Sequence, residues 1–342
     1  MTNSSSSQIQ VIHGAGGTAM GDLIEGHILP AHSMKSAGSI GLDQLDDGAT
    51  VDLEDNQTVV ITTDSHVVKP LFFPGGDIGK LAVCGTINDL SVMGARPVAL
   101  TSSLIIEQGF PFAKLDRILE SMEEVLVDTG TPIVTGDTKV MEKGDLDSLV
   151  INTTGIGVSE NPISDAGMEV GNKIILTGSI GDHGMALMQH REGLNFETDL
   201  ISDIAPLYDM LAPVISSGGV TAMKDPTRGG VANALNEMAS KSEVGIVIEE
   251  ELLPVKESVK GIAQLLGLDP LQVANEGKAI IAATSSKADS ILRTLRSHKL
   301  GKDAAIVGRA VQEWPGKVVM ETTVGGRRFV ESPIGDPVPR IC

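Results

Sequence analysis

The chain has 342 residues, 41% of them hydrophobic but only 2% aromatic, with a formal net charge of −19 and a pI near 4.7. That much negative charge repels nucleic-acid phosphates and anionic membrane, so neither is an expected partner. Two cysteines, Cys84 and Cys342, make no disulfide framework, the polar opening MTNSSSSQIQ lacks the parts of a secretory signal, and no apolar run is long enough to span a bilayer, so the cytoplasm is the expected compartment.

In chain order, VIHGAGGTAMGDLIE (11–25) passes from a short apolar run through a glycine cluster into an amphipathic run. TVVITTDS (58–65) is β-branched and predicts a strand, and GKLAVCGTINDLSVMGA (79–95) predicts a helix ending on glycine. A strand over 97–108, an amphipathic helix closing on Gly130, and strands PIVTGDTKVME and SLVINTTGIGVS follow. The pattern breaks into loop residues at 161–173. A second alternation then runs KIILTGS, HGMALMQHR, IAPLYDMLAPVISS, VTAMKD, GGVANALNEMAS, GIVIEE, ESVKGIAQLLG, KAIIAAT, ADSILRTLRSH and AAIVGRAV, and a hairpin turning on Gly325–Gly326 closes it. The expectation is an α/β (α+β) chain: an N-terminal domain over 1–165, a second mixed α/β domain over 166–331, and a flexible tail over 332–342.

Glycine N–H groups opening a helix make an anion site, because the first donors are free and the dipole favours negative charge. GAGGTA also fits a loose dinucleotide-binding pattern, but no strand ending in an acid precedes Asp43 and no G-K-[ST] follows, so an ordinary glycine turn reads equally well. Four aspartates follow strands or sit in small-residue turns: Asp64 in TTDSHV, Asp89 in TINDLS, Asp137 in TGDTK and Asp225 in KDPTRGG. Singly each reads as a cap or turn residue. Together they suit Mg²⁺ held against a polyphosphate, the usual habit of this hard cation. DPTRGG adds a guanidinium, Arg228, beside Thr227 and a glycine pair. Glu276 in NEGK, His183 in GDHG and Lys139 in TGDTK are polar residues at loop or helix starts that also read as surface positions. Cys84, mid-way along an apolar helix, is expected in the core.

The chain finishes DPVPRIC. Prolines stiffen such an arm to about 3 Å per residue, so ten residues reach roughly 30 Å. Cys342 at its tip is a nucleophile once a neighbour favours the thiolate. A prenylation box is excluded because its cysteine stands fourth from the end.

HGAGG, TTDSHVVKPLFFPGGDIGKLAVCGTINDLSVMGA, IVTGDTKV, GDHG, DPTRGGV, NEGK, HKLGKDAAIVG and PRIC together resemble the hydrogenase maturation HypE family over nearly the whole chain. Its wider superfamily is that of aminoimidazole ribonucleotide synthetase, with selenophosphate synthetase and thiamine-phosphate kinase. The resemblance implies a homodimer pairing the sheets of its N-terminal domains, and ATP–Mg²⁺ in a cleft that the tail reaches. It implies a partner, HypF, that carbamoylates Cys342, ATP-dependent dehydration of that group to an S-cyanide, and a HypC–HypD complex as cyanide acceptor. Carried onto this sequence, Asp64, Asp89, Asp137 and Asp225 would hold metal. Gly14, Gly16, Gly17, Lys80, Thr138, Thr227 and Arg228 would surround the nucleotide. Glu276 would be the general base with His183 as second choice, and Lys139 would meet charge developing on oxygen.

Three rival readings use the same residues. A small-molecule kinase of the superfamily would share the aspartates and glycines and have no use for Cys342. A docking scaffold would turn over no ATP. A dinucleotide oxidoreductase rests on GAGGTA alone.

Overall fold

The structure is a computed structural model describing residues 8–53, 57–193, 199–335, 337–338 and 340–342. After a short helix, α1 (Gly17–Leu23), come strands β1 (Ala49–Asp52) and β2 (Thr58–His66), a two-stranded ribbon β3 (Phe72–Phe73) and β4 (Gly76–Asp77), and helix α2 (Ile78–Val92). Then follow β5 (Arg96–Glu107), α3 (Phe112–Thr129), β6 (Ile133–Met141) and β7 (Leu149–Ser159). The long strands form one sheet in the order β1-β2-β7-β5-β6, antiparallel except for the β5–β6 pair. The short strands β1, β3 and β4 lie outside the sequence expectation: β3 and β4 have two residues each, and β1, ATVD, lacks the apolar run that marks β8 or β11.

Helix α2 covers one face of this sheet. Asp77 caps it, its Oδ1 accepting the N–H groups of Gly79 and Lys80 at 2.8 and 3.1 Å. Nearly every residue of α2 is buried, because the first sheet lies on one side and elements of the second half on the other. A helix enclosed all round needs no polar stripe. Its few polar residues are therefore informative, and three of them, Thr86, Asn88 and Asp89, make specific contacts. Gly155 of β7 lets α2 approach the sheet, since a Cβ there would stand 2.7 Å from the Thr86 methyl.

The second half contains β8 (Lys173–Leu176), α4 (Asp182–Arg191), α5 (Tyr208–Ser216), β9 (Val220–Lys224), α6 (Gly230–Lys241) and β10 (Gly245–Glu249). It continues with α7 (Glu257–Leu266), β11 (Ile280–Ala283), α8 (Ala288–Ser297), β12 (Ala305–Val311), β13 (Val318–Glu321) and β14 (Arg327–Val330). The sheet order is β14-β13-β10-β12-β8-β11-β9, with a parallel pair only at β10–β13. One face packs on α6 through Val231, Leu235 and Met238, the other on α5 and α8 through Leu211, Ile291 and Leu295. The sequence predicts α5 from Ile204, but the helix starts at Tyr208. The main chain ahead of it is taken by α2 instead: Asn88 Nδ2 donates to the Ala205 carbonyl at 3.1 Å and Asn88 Oδ1 accepts the Leu207 N–H at 2.9 Å.

The two ends of the chain meet. The N–H groups of Thr18 and Ala19 donate to the carbonyls of Pro333 and Ile334 at 3.1 and 3.0 Å, so the tail straps the N-terminal segment. Where the sequence suggests a flexible arm, the described tail residues are docked, with Val338 and Ile341 buried in the apolar core of the first half. Of the proline-stiffened stretch, Pro339 lies outside the described residues.

Candidate active site

A cavity of about 440 Å³ opens between the halves. β2 delivers Thr62 and Asp64 to it, α2 delivers Gly85 and Asp89, and the turn after β9 delivers Asp225, Thr227 and Arg228. Gly16 and Gly17 close one side, Glu276 lies on the wall and Cys342 reaches in from the tail. Asp64, Asp89, Asp225, Gly16, Gly17, Thr227, Arg228, Glu276 and Cys342, separated by up to 326 positions, are thus brought together as the sequence suggests.

The charge of this group is dense. Burial raises the Asp89 carboxyl well above its ordinary value, and the carboxylates of Asp225, Asp64 and Asp47 push it further. Thr62 Oγ1 stands 2.7 Å from Asp89 Oδ2 and 2.9 Å from the Asp47 carbonyl. A hydroxyl has one hydrogen, and a protonated Asp89 supplies the second that these two contacts need. Asp225 is lifted to about 6, first by burial. Asp64 is steadied by buried His66, whose Nε2 lies 3.2 Å from Asp64 Oδ2, and Gly85 leaves the room, since a Cβ there would sit 2.9 Å from that nitrogen.

Sequence reasoning missed the other half of the cluster. Asp46 and Asp47, in LDDGAT just before β1, line the cavity together with Lys224, Glu237 and Lys241. Lys224 Nζ is 2.6 Å from Asp47, 3.2 Å from Asp165 and 3.4 Å from Glu237; burial alone would lower its pKa, and these carboxylates outweigh burial and hold it well above its usual value. Lys241 reaches Asp165 at 2.6 Å. The signal was available: an acidic pair against a glycine at a strand entrance is the same kind of feature as KDPTRGG. Asp165 and Ser164 also tie the loop between the halves to Asp46, which accepts from both at 3.1 and 2.8 Å.

Glu276 is held at both ends of its residue. Asp203 Oδ1 accepts its N–H at 3.1 Å and its carbonyl accepts from Asn88 Nδ2 at 3.2 Å. Burial raises its carboxyl well above the ordinary value, with Asp225, Asp203 and Asp64 adding to it, and Oε1 has no hydrogen-bond partner. A buried, high-pKa carboxyl lining the same cavity as a thiol is a usual preparation for general acid–base work. Arg228 faces the same space 3.8 Å from Asp64 Oδ1, and the negative charge of Cys342 is the chief reason its guanidinium holds its proton more tightly.

Several expected residues stand elsewhere. Side chains alternate along a strand. Asp64 lies in the cross-strand row Asp64–Thr153–Ser102–Gly136, whereas Asp137 lies in the next row, Ser65–Asn152–Ser103–Asp137. Asp137 and Lys139 therefore point from the face opposite Asp64, where they pair with each other at 2.9 Å in solvent. Thr138 alternates to the α2 side but sits on the edge strand β6, whose residues are all exposed, outside the cavity lining. Lys80 also lies outside, its Nζ donating to the Gly75 carbonyl at 3.2 Å. Gly14 belongs to an exposed 3₁₀ turn. The missing side chains of Gly16 and Gly17 serve packing: Cβ atoms there would stand 2.7 Å from Arg228 Cβ and 2.1 Å from the Pro333 carbonyl oxygen.

His183 is also placed differently from a base. Its Nε2 lies 2.9 Å from the carbonyl oxygen of Ile341, which can only accept, so Nε2 carries a hydrogen and Nδ1 turns to Ser202 Oγ at 2.8 Å. Burial lowers its pKa and keeps the ring neutral. Cys84 is core as expected, its thiol pushed up to about 12 by burial.

Comparison with known proteins bears on this geometry. Residues 45–159 match the AIR synthase related protein, N-terminal domain, and residues 169–321 match its C-terminal domain. The carbamoyl dehydratase HypE of Azotobacter vinelandii is 46% identical over 98% of this chain and 97% of its own length. The chain belongs to the HypE family. Two solved HypE structures agree in shape. A HypE–HypF complex covers 91% of this chain and 99% of the matched one at 44% identity and a TM-score of 0.85. HypE in complex with ATP covers 98% and 100% at 39% identity and a TM-score of 0.81. Among the described residues no helix is long and apolar enough to cross a membrane.

No group of three or more His, Cys, Asp or Glu among the described residues already converges as a metal cage. The donor set nevertheless fits a hard cation bound together with a polyphosphate: buried Asp89 and Asp225 carry raised pKa values, and Asp47 Oδ2 is buried without a hydrogen-bond partner.

Proposed function

We propose that this HypE-family chain is an ATP-dependent carbamoyl dehydratase that converts an S-carbamoyl group on Cys342 into an S-cyanide for hydrogenase maturation. The observation that carries the reading is the seating of Cys342 in one cavity with Glu276, Arg228 and the aspartate cluster.

A thiocarbamate oxygen is a poor leaving group. Transfer of the ATP γ-phosphoryl to that oxygen releases ADP and leaves an S–C(=NH)–O–phosphate group once one nitrogen proton has gone. Loss of the second nitrogen proton and cleavage of the C–O bond give S–C≡N and phosphate. Phosphoryl transfer depends mainly on positioning and on neutralising charge. Asp64, Asp89 and Asp225, with Asp46 and Asp47, would hold Mg²⁺, which when bound neutralises phosphate charge. Arg228 orients the sulfur and meets negative charge beside it. Glu276, in its ionised form favoured by Arg228, takes a nitrogen proton. Its fixed main chain keeps the carboxylate aimed.

In this reading HypF supplies the carbamoyl group, a HypC–HypD complex accepts the cyanide and the reaction runs in the cytoplasm. Two copies pair through the open face of the first sheet, which carries Ile61, Val150, Ile105 and Ile156 among Thr and Ser. That pairing is the route by which Asp137, Thr138 and Lys139 reach a cavity, that of the second copy.

The test is mass spectrometry of the Cys342 peptide after carbamoyl donor and ATP are supplied. Gain of a carbamoyl group followed by loss of water is expected. ATP consumed with Cys342 unmodified overturns the reading in favour of a kinase. Glu276→Gln should keep ATP binding and accept the carbamoyl group, yet slow dehydration by about a hundredfold or more; full activity would remove the base role.

A further inference from the structure

The tail is held in the cavity by contacts that do not involve its sulfur. The Arg340 carbonyl accepts the Lys69 N–H at 3.2 Å and an Arg191 guanidinium N–H at 3.1 Å. Arg191 is itself fixed by donating Nε–H to the Lys69 carbonyl at 3.0 Å. One residue on, His183 Nε2–H donates to the Ile341 carbonyl at 2.9 Å. The Arg340 side chain pairs with Asp147, which also meets Lys69 at 3.4 Å. Between these polar contacts, the Ile341 side chain enters an apolar socket over Gly184, where an added Cβ would come within 2.9 Å of Ile341 Cδ1. Ile341 is 2% exposed and Val338 fully buried.

We infer that His183, Arg191, the Lys69 amide and the Gly184 socket form a clasp that positions Cys342 by gripping the main chain of residues 340–341 and the Ile341 side chain, so that the tail docks alike whether its sulfur is bare or substituted. The clasp residues are positioning residues. The contacts named above go to the main chain of residues 340–341 and to Ile341, while Arg228 is the group that answers to the negative charge of Cys342. A carrier that must bring the same sulfur to the same base before and after modification needs a grip independent of what the sulfur carries. Orientation supplied this way is a large part of an intramolecular rate advantage. The catalytic consequence rests on the proposed dehydratase reading; the docking itself does not.

The Lys69 amide reports docking directly, because its hydrogen bond exists only when Arg340 is in place. Hydrogen exchange at Lys69 should be slow in the full-length protein. Ile341→Ser lies beyond the last strand and leaves the fold intact; losing the burial of an isoleucine should reduce Lys69 protection by about tenfold to a hundredfold. Arg191→Met should act in the same direction. His183→Leu should lose protection, while His183→Gln, which keeps an N–H donor, should regain most of it. Alkylation of Cys342 with iodoacetamide is selective, since buried Cys84 has its thiol pushed up to about 12. Because alkylation leaves every clasp contact named above in place, it should cost no more than about fivefold in protection.

Unchanged protection in Ile341→Ser and Arg191→Met overturns the clasp. Loss of all protection on alkylation alone overturns its independence of the sulfur. In the same variants, carbamoyl transfer to Cys342 should persist and dehydration should slow with the KM for ATP unchanged. Lys69 protection behaving as stated while wild-type Cys342 never loses water would leave the clasp standing and sink the dehydratase reading.

Discussion

Asp64 and Asp137 look alike in the sequence. Both follow a β-branched run, both stand among Thr, Ser and Gly, and both belong to the same sheet. Yet Asp64 faces α2 and the cavity, and Asp137 faces open solvent from the other side of the edge strand. The difference comes from strand register: one step along a strand reverses the face, and two strands, β7 and β5, separate the two positions. A motif fixes chemistry, while the ladder decides which side of the sheet receives it.

The comparison can be broken most strongly by moving each carboxylate's charge in turn. Asp64→Asn removes charge where the phosphates would lie and should lower dehydration at least about a hundredfold. If Asp137 serves the cavity of a second copy, Asp137→Asn should be nearly as damaging alone. Mixed with Asp64→Asn, it should return activity to about a quarter of wild type, because half the dimers are mixed and each holds one intact site. No recovery on mixing would confine Asp137 to the surface.

A second contrast is thermodynamic. Asp225 keeps its proton to about 6 in the folded chain against an ordinary 3.8, and Asp89 and Asp47 are raised in the same sense. The folded state then binds more protons than the unfolded one between those limits, so without nucleotide this cluster's contribution to stability falls as pH rises through that window and stays low above it. Mg²⁺–ATP, displacing those protons, should add more unfolding free energy at pH 8 than at pH 5, by up to about a few kcal/mol. Scanning calorimetry at the two values checks this; a gain independent of pH would separate the cluster from the cation. On the opposite face Asp137, held below the ordinary range by its bond to Lys139, predicts no such effect.

Smaller effects sharpen the picture. Gly85→Ala crowds His66 and should cost roughly 1–3 kcal/mol of stability together with activity, as overpacking does. Ile61→Glu on the open face should change chain stability by no more than about 0.5 kcal/mol, yet shift a dimer to half its mass in light scattering. An unaltered mass would move the pairing surface elsewhere.

Much of the fold was legible because local patterns were strong. The alternation of β2 and β7, the glycine closing α3 and the apolar length of α2 each follow from residue spacing. The start of α5 was not legible, since Asn88, over a hundred positions away, takes the main chain that would have continued it. Within the site, Asp64, Asp89, Asp225, Arg228 and Glu276 could be picked out as polar residues in small-residue turns. Asp47 was readable from the acidic pair in LDDGAT, whereas Lys224 was not: a buried lysine is intelligible only when its carboxylates are seen around it.

The sequence by itself determined the kinds of chemistry available: carboxylates and glycines at element ends, a strong net negative charge, and a thiol on a proline-bearing tail. Tertiary structure alone decided which of these act together. It turned His183 from a candidate base into a hydrogen-bond donor for Ile341, set Asp137 and Lys139 on the far face of the sheet, and seated Cys342 in one cavity with Glu276. The physical reason is that side-chain direction depends on strand register and long-range packing, which no short stretch of sequence contains, whereas the protonation and reactivity of a group depend on what burial places beside it.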